Sequence, residues 1–151
     1  MITESVHAGP DEIRSQAHSN CVICSPSNSR GLSLKFTASE DGSVEACFDC
    51  DAAFQGYAGL LHGGLIASLL DGAMTNCMFA HGCPVVTAEL NVRFRHPVVT
   101  DKTATVRAWI DESSPPLYVL KAEVVQAEQV KATACGKFVE QRRVVAGRPV
   151  F

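Results

Sequence analysis

From Leu65 to Ala80 the chain carries a helical repeat in which nearly every side chain is apolar. Leu65, Ile66, Leu69, Leu70, Ala73, Cys77 and Met78 recur at helical spacing, and the single acidic residue of the run is Asp71. A helix with no polar face cannot lie on a surface, so other elements must cover most of its circumference. His81-Gly82 supplies a stop and Pro84 lies just beyond, which predicts one helix over Gly64–Ala80.

The regular segments around it have period two, apart from a short helix expected within Asp11–His18. Gly31–Thr37 alternates Leu32, Leu34 and Phe36 against Ser33, Lys35 and Thr37. Asp41-Gly42 is a turn signal, and Ser43–Cys50 alternates again, so the two segments are expected to form a hairpin. Beyond the helix, Val86, Ala88, Leu90, Val92 and Phe94 alternate with Thr87, Glu89, Asn91, Arg93 and Arg95. Thr103–Asp111, Leu117–Gln126 and Val130–Glu140 follow, the last two joined by a turn near Ala127–Gln129. Successive strands with short links favour an antiparallel sheet. The expected fold is α+β, one long helix wrapped by a curved antiparallel sheet of five to six strands.

Composition removes several function classes. The 151 residues are 46% hydrophobic and 19% charged, which suits one domain with its own core. A net charge of -3 offers no basic surplus for phosphates, so nucleic acid is not an expected partner. Residues 1–14 carry Glu4, Asp11 and Glu12 with no apolar core of a signal peptide. Ala52–Leu70, the longest stretch without Asp, Glu, Lys or Arg, holds Gln55, His62 and several glycines and makes a poor membrane span. A soluble cytoplasmic protein is the expectation.

The seven cysteines include two CxxC pairs, Cys21/Cys24 and Cys47/Cys50, at a spacing close to a four-thiolate zinc pattern. Cys47 and Cys50, however, fall in an expected strand, where positions i and i+3 point to opposite faces. Reduced thiols and no metal are therefore expected. Cys77, Cys83 and Cys135 read as small apolar residues.

His62-Gly63-Gly64 opens the apolar helix. Glycines there leave backbone N–H groups open, and the helix start adds partial positive charge, a combination that polarises a carbonyl oxygen. Asp71 in the same helix is costly to bury without partners, and a carboxylate held there can act as general base or nucleophile. Loop geometry for the glycines and a solvated face for Asp71 are the alternatives.

Gly56–Val98 resembles the core of hotdog-fold acyl-CoA thioesterases of the phenylacetate-pathway (PaaI-like) type. The shared features are the His62-Gly63-Gly64 triplet, Asp71 nine residues after the His, and a strand from Val85 to Pro97 with Thr87 near its start. Cys21–Phe36 is similar to the C-x-x-C…N-x-x-G-L start of many members. The resemblance implies a hotdog domain over 21–140, flanked by an irregular segment 1–20 and a tail 141–151. It implies an acyl-CoA substrate, no cofactor, Asp71 as base or nucleophile, and Gly63 or Gly64 as donor to the thioester carbonyl. By the same resemblance His62 orients the thioester and Thr87 holds the attacking water, while Phe94 packs and Pro97 ends the strand. The alternatives are an acyl-CoA-binding module without catalysis, a zinc-dependent structural domain, and a hotdog dehydratase, whose H-x-P-G-H-F segment is missing here.

Helix geometry adds a constraint of its own. Gly63 and Asp71 are eight residues apart, about 12 Å along a helix at roughly 1.5 Å per residue. One carbonyl cannot reach a donor and an attacking atom that far apart. If both serve one reaction centre, they come from different copies of the chain, in a homodimer or a homotetramer built from two such dimers. Arg93, Arg95, Arg142, Arg143 and Arg148 are candidates for coenzyme A phosphates, with solvated positions as the alternative. His81 and His96 read as loop residues. Phe54, Tyr57, Leu61 and Met78 are candidates for the wall of an acyl tunnel.

Overall fold

The protein is seen in a computed structural model that describes residues 9–141 and the backbone of 144–145 and 148–149. A short helix α1 (Pro10–Ala17) precedes strands β1 (Thr37–Ala38) and β2 (Val44–Asp49). The long helix α2 (Gly63–Ala80) comes next, followed by β3 (Val85–Phe94), β4 (Thr103–Ser114), β5 (Leu117–Gln126) and β6 (Gln129–Glu140). Two further two-residue strands, β7 (Val144–Val145) and β8 (Arg148–Pro149), pair with each other in the region expected to be a plain tail.

The main sheet has six strands in the order β1-β2-β4-β5-β6-β3, and every neighbouring pair is antiparallel. It wraps α2 as expected of a hotdog fold. Leu69, Leu70, Ala73, Met74, Cys77 and Phe79 of α2 are 0% exposed. From Gly72 to Phe79 every residue of the helix is buried, so its C-terminal half is enclosed on all sides. The sheet contributes Val44, Ala46, Phe48, Val106, Ala108, Leu120, Val124 and Phe138 to the same core. Ala127 and Glu128 link β5 to β6 with φ values of 51° and 61°, the left-handed pair that a two-residue hairpin needs.

The expected strand over Gly31–Thr37 is corrected: only Thr37 joins the sheet. Leu32 and Leu34 donate their N–H groups to the Val22 and Ile23 carbonyls at 2.7 and 2.8 Å, and Ser33 between them has a φ of 50°. The segment is extended and buries Leu34 and Phe36, but its hydrogen bonds go to the turn around Cys21–Cys24. That turn in turn rests on α2. A Cβ at Gly72 would stand 2.6 Å from Ile23 Cγ2, so glycine makes the notch that Ile23 fills. Arg14 Nε donates to the buried Asn76 Oδ1 at 2.8 Å and fixes α1 on the same helix. No helix among the described residues is long and apolar enough to cross a membrane.

Gly136 makes a second close approach. A Cβ there would lie 2.6 Å from Phe138 Cε2 and 3.3 Å from Met74, both fully buried side chains. Gly136→Val should destabilise the protein by about 1–3 kcal/mol, the usual cost of overpacking a core. Urea unfolding of the variant beside wild type measures it; equal stability would show that the core has room at this point.

Candidate active site

The entrance to α2 is built by His62 and the two glycines after it. His62 is the N-cap, with extended backbone (φ -63°, ψ 133°), and its Nδ1 accepts the Gly64 N–H at 2.9 Å. With Nδ1 accepting, Nε2 is the ring nitrogen left to donate. Gly64 thereby spends its donor within the chain. Among the described residues no acceptor meets the Gly63 N–H, so this is the amide left open at the positive end of the helix.

A cavity of about 730 Å³ opens onto that amide. Leu60, Leu61, Ile66, Phe94 and Val98 give it apolar walls, with Arg95 and His96 on one side and Tyr57 at the rim. Its two loops are stitched together by the Leu61 N–H, which donates to the Val98 carbonyl at 2.8 Å. The buried Gln126 side chain both accepts from the Val99 N–H and donates to its carbonyl, each at 2.9 Å, and so holds the second loop as a strand neighbour would.

Asp71 lies two turns further along α2 and is half-buried. Thr87 Oγ1 donates to Asp71 Oδ1 at 2.7 Å. Burial pushes the Asp71 carboxyl above its ordinary range, and the Thr87 donor offsets part of that rise. Strict alternation from Thr87 to Phe94 would point these two side chains to opposite faces of β3. The structure corrects that expectation, because the β3–β6 register shifts between Thr87 and Glu89. This bulge turns both residues toward α2: Thr87 meets Asp71, and the Phe94 ring lies 3.5 Å from where a Gly63 Cβ would be.

The structure thus joins Asp71 to Thr87 and His62 to the glycines, but it does not bring the two groups together within one chain. Among the described residues, neither Asp71 nor any other carboxylate lines the cavity beside Gly63.

The cysteines resolve in an unforeseen way. Cys47 is exposed on β2, while Cys50 is buried beside Gln126 Nε2 at 3.8 Å, so this pair does not converge. Cys21 and Cys24 instead gather with His18, their ligand atoms all within 4.8 Å of one another. The signal for His18 was present as a second i+3 step, His18-x-x-Cys21-x-x-Cys24. Cys77 is buried as expected, whereas Cys135 is exposed on the outer side of β6, opposite the core face of Ala134 and Gly136. Of the candidate phosphate ligands, Arg95 lines the cavity. Arg93 is exposed on β3. Arg142 and Arg143 lie outside the described residues, and only the backbone of Arg148 is described. His81 lies in the turn that follows α2, where it is the C-cap and its Nδ1 stands 2.8 Å from the Cys77 carbonyl.

Residues 58–133, a span that takes in Gly63, Asp71, Thr87 and most of the cavity wall, match the family model described as Thioesterase superfamily. The chain belongs to that superfamily. It is 28% identical over 107 residues to the acyl-coenzyme A thioesterase THEM4 of Bos taurus, covering 70% of this chain and 44% of that protein. The chain therefore spans less than half the length of this curated relative. Among solved structures it is similar to the thioesterase superfamily protein RHA08564, at 24% identity and a TM-score of 0.74, over 78% of this chain and 61% of that one. It is also similar to the E. coli PaaI protein from the phenylacetic acid degradation operon, at 22% identity and a TM-score of 0.67, over 72% and 80% of the two chains. Both structural likenesses carry the hotdog fold.

His62→Ala removes the acceptor for the Gly64 N–H. It should cost about 0.5–2 kcal/mol of stability, as loss of an N-cap usually does, and His62→Asn should restore most of it. Chemical unfolding of the two variants tests the capping role; equal losses in both would refute it.

Proposed function

We propose that the chain is an acyl-CoA thioesterase whose reaction centre is shared by two copies. The observation that carries this reading is the separation of the two half-sites. The start of α2 offers an open amide beside an apolar cavity that has no carboxylate among the described residues, and the middle of α2 offers a carboxylate with a raised pKa and an ordered hydroxyl partner. Two features support the pairing of chains. β3 is an edge strand whose residues from Thr87 to Leu90 are exposed, and it carries Leu90 at 37% and Phe94 at 55% exposure. On α2 the small residues Gly64 and Ser68 and the half-buried Asp71 form an uncovered strip. Two α2 helices laid antiparallel along this strip, with the β3 edges side by side, bring Gly63 of one chain to Asp71 of the other.

In that arrangement the thioester oxygen accepts the Gly63 N–H, and the acyl group lies in the apolar cavity. Asp71 of the partner subunit takes a proton from water as its oxygen attacks the carbonyl carbon. The tetrahedral oxyanion is held at the helix end, and its collapse breaks the carbon–sulfur bond. The departing thiolate takes the proton back from Asp71. Thr87 occupies one carboxylate oxygen and leaves the other for water. Coenzyme A as the thiol is supported by the likeness to an acyl-coenzyme A thioesterase, and an apolar cavity suits a fatty or aromatic acyl group.

Asp71→Asn should lower turnover of acyl-CoA by about 10²–10⁴, the span of general-base catalysis. Thiol release from an acyl-CoA panel measures it, and undiminished turnover would remove Asp71 from the mechanism. Asp71 works ionised, so activity should be lost as pH falls through its raised pKa, above the ordinary 3.8. Thr87 favours the charged form, so Thr87→Val should move this acid limb to higher pH as well as slow the reaction. A pH profile in which the limb stays put or moves down would contradict the Thr87–Asp71 coupling.

Gly63→Pro removes the open donor in a position that tolerates proline. It is the first residue of α2, and His62 before it already has the extended backbone that precedes proline. Gly63→Pro and Asp71→Asn should each be nearly inactive alone. Co-refolded heterodimers should regain activity, because both lesions fall in one composite site and leave the other whole. Proven heterodimers without activity would sink the shared site.

A further inference from the structure

His18, Cys21 and Cys24 form a compact donor set that thioester hydrolysis does not use. We propose that these three side chains bind one zinc-class divalent cation per chain, with water in the fourth position.

The geometry is close to what such an ion requires. Tetrahedral zinc, with Zn–S near ~2.3 Å and Zn–N near ~2.0 Å, places a sulfur and a nitrogen ligand about 3.5 Å apart. Cys24 Sγ and His18 Nδ1 stand 3.7 Å apart, and no two ligand atoms of the set are further apart than 4.8 Å. Two thiolates and an imidazole are a borderline-soft donor set that suits zinc over magnesium or calcium. With the ion's two positive charges they make a neutral centre, which a half-buried place tolerates.

The backbone is arranged for the same purpose. Cys21–Cys24 is a turn, closed by the Ser25 N–H on the Cys21 carbonyl at 3.1 Å, so both sulfurs face one point, as Cys47 and Cys50 on their strand do not. The Ile23 N–H donates to Cys21 Sγ at 3.3 Å, an outer-shell bond that favours a thiolate there. The third donor is fixed as well: the His18 ring stands edge-on to the buried Phe79, with ring centroids 4.9 Å apart. A groove of about 470 Å³ bordered by Arg14, His18 and Cys24 gives the ion a way in, and Arg14 is neutralised there by Asp11 at 2.9 Å.

A disulfide between Cys21 and Cys24 would account for the paired cysteines but not for His18. The ion would fasten the end of α1 and the turn to α2 opposite Gly72, one residue from Asp71.

The test uses the full-length protein, fully reduced and metal-free, titrated with cobalt(II) and then zinc. Wild type should take up one cobalt per chain, with a thiolate-to-cobalt charge-transfer band and tetrahedral visible absorption, and zinc should displace it. His18→Gln and Cys24→Ser should each weaken binding by more than the roughly 10–100-fold that outer-shell changes cost. Cys47→Ser should bind as wild type does. Circular dichroism checks that each variant is folded, and the wild-type spectrum decides even if Cys24→Ser is not. Absence of the charge-transfer band in reduced wild type, or binding lost in Cys47→Ser and kept in folded His18→Gln, would overturn the proposal.

Discussion

A helix without a polar side must be enclosed, and the enclosure of α2 sets most of what surrounds it. The sheet curves around it, α1 and the Cys21–Cys24 turn close over it, and Arg14 reaches in to satisfy the buried Asn76. The covering is complete only over the C-terminal half. Asp71 sits at the boundary, with enough protein around it to raise its pKa and enough opening for water to reach it. A carboxylate one turn later, at Met74 or Thr75, would be entombed.

The same helix is a rigid ruler. Because its residues advance by a fixed rise, an amide at its first position and a carboxylate two turns on cannot meet on one small group. β3 adapts to this rod through its bulge. By shifting register after Thr87, the strand sets a hydroxyl on Asp71 and an aromatic ring over Gly63, two contacts that an unbroken alternation would place on opposite faces.

Much of this could be read from the sequence, since apolar period is imposed by burial. The limits of α2, β5 and β6 fall within a residue of where the pattern puts them, and β2 buries the alternating face expected of it. Gly31–Thr37 shows where period fails. Leu34 and Phe36 are buried as a strand face would be, yet the left-handed Ser33 and the carbonyls of Val22 and Ile23 draw the backbone away from the sheet. The bulge in β3 left no mark in the alternation. Nor did the sequence reveal that His62 engages Gly64 and leaves Gly63 open, because this is decided by one side-chain rotamer. Periodicity does not mark His18 either, because only a turn brings it beside Cys21 and Cys24.

The sheet ends differently on its two sides. β1 is only two residues long, too short to template another strand, whereas β3 presents ten residues whose outer edge pairs with no strand among the described residues. Such an edge invites indiscriminate pairing unless it is guarded. Here Glu89 and Arg93 interrupt its apolar positions with charge, and Glu89 is held by Lys137. A sheet with one competent edge can join one other and then has nothing left to offer. Were β3 to pair with its counterpart in a second copy, strand addition would meet no edge of like length on the far side of the described sheet, and that asymmetry works against a fibre.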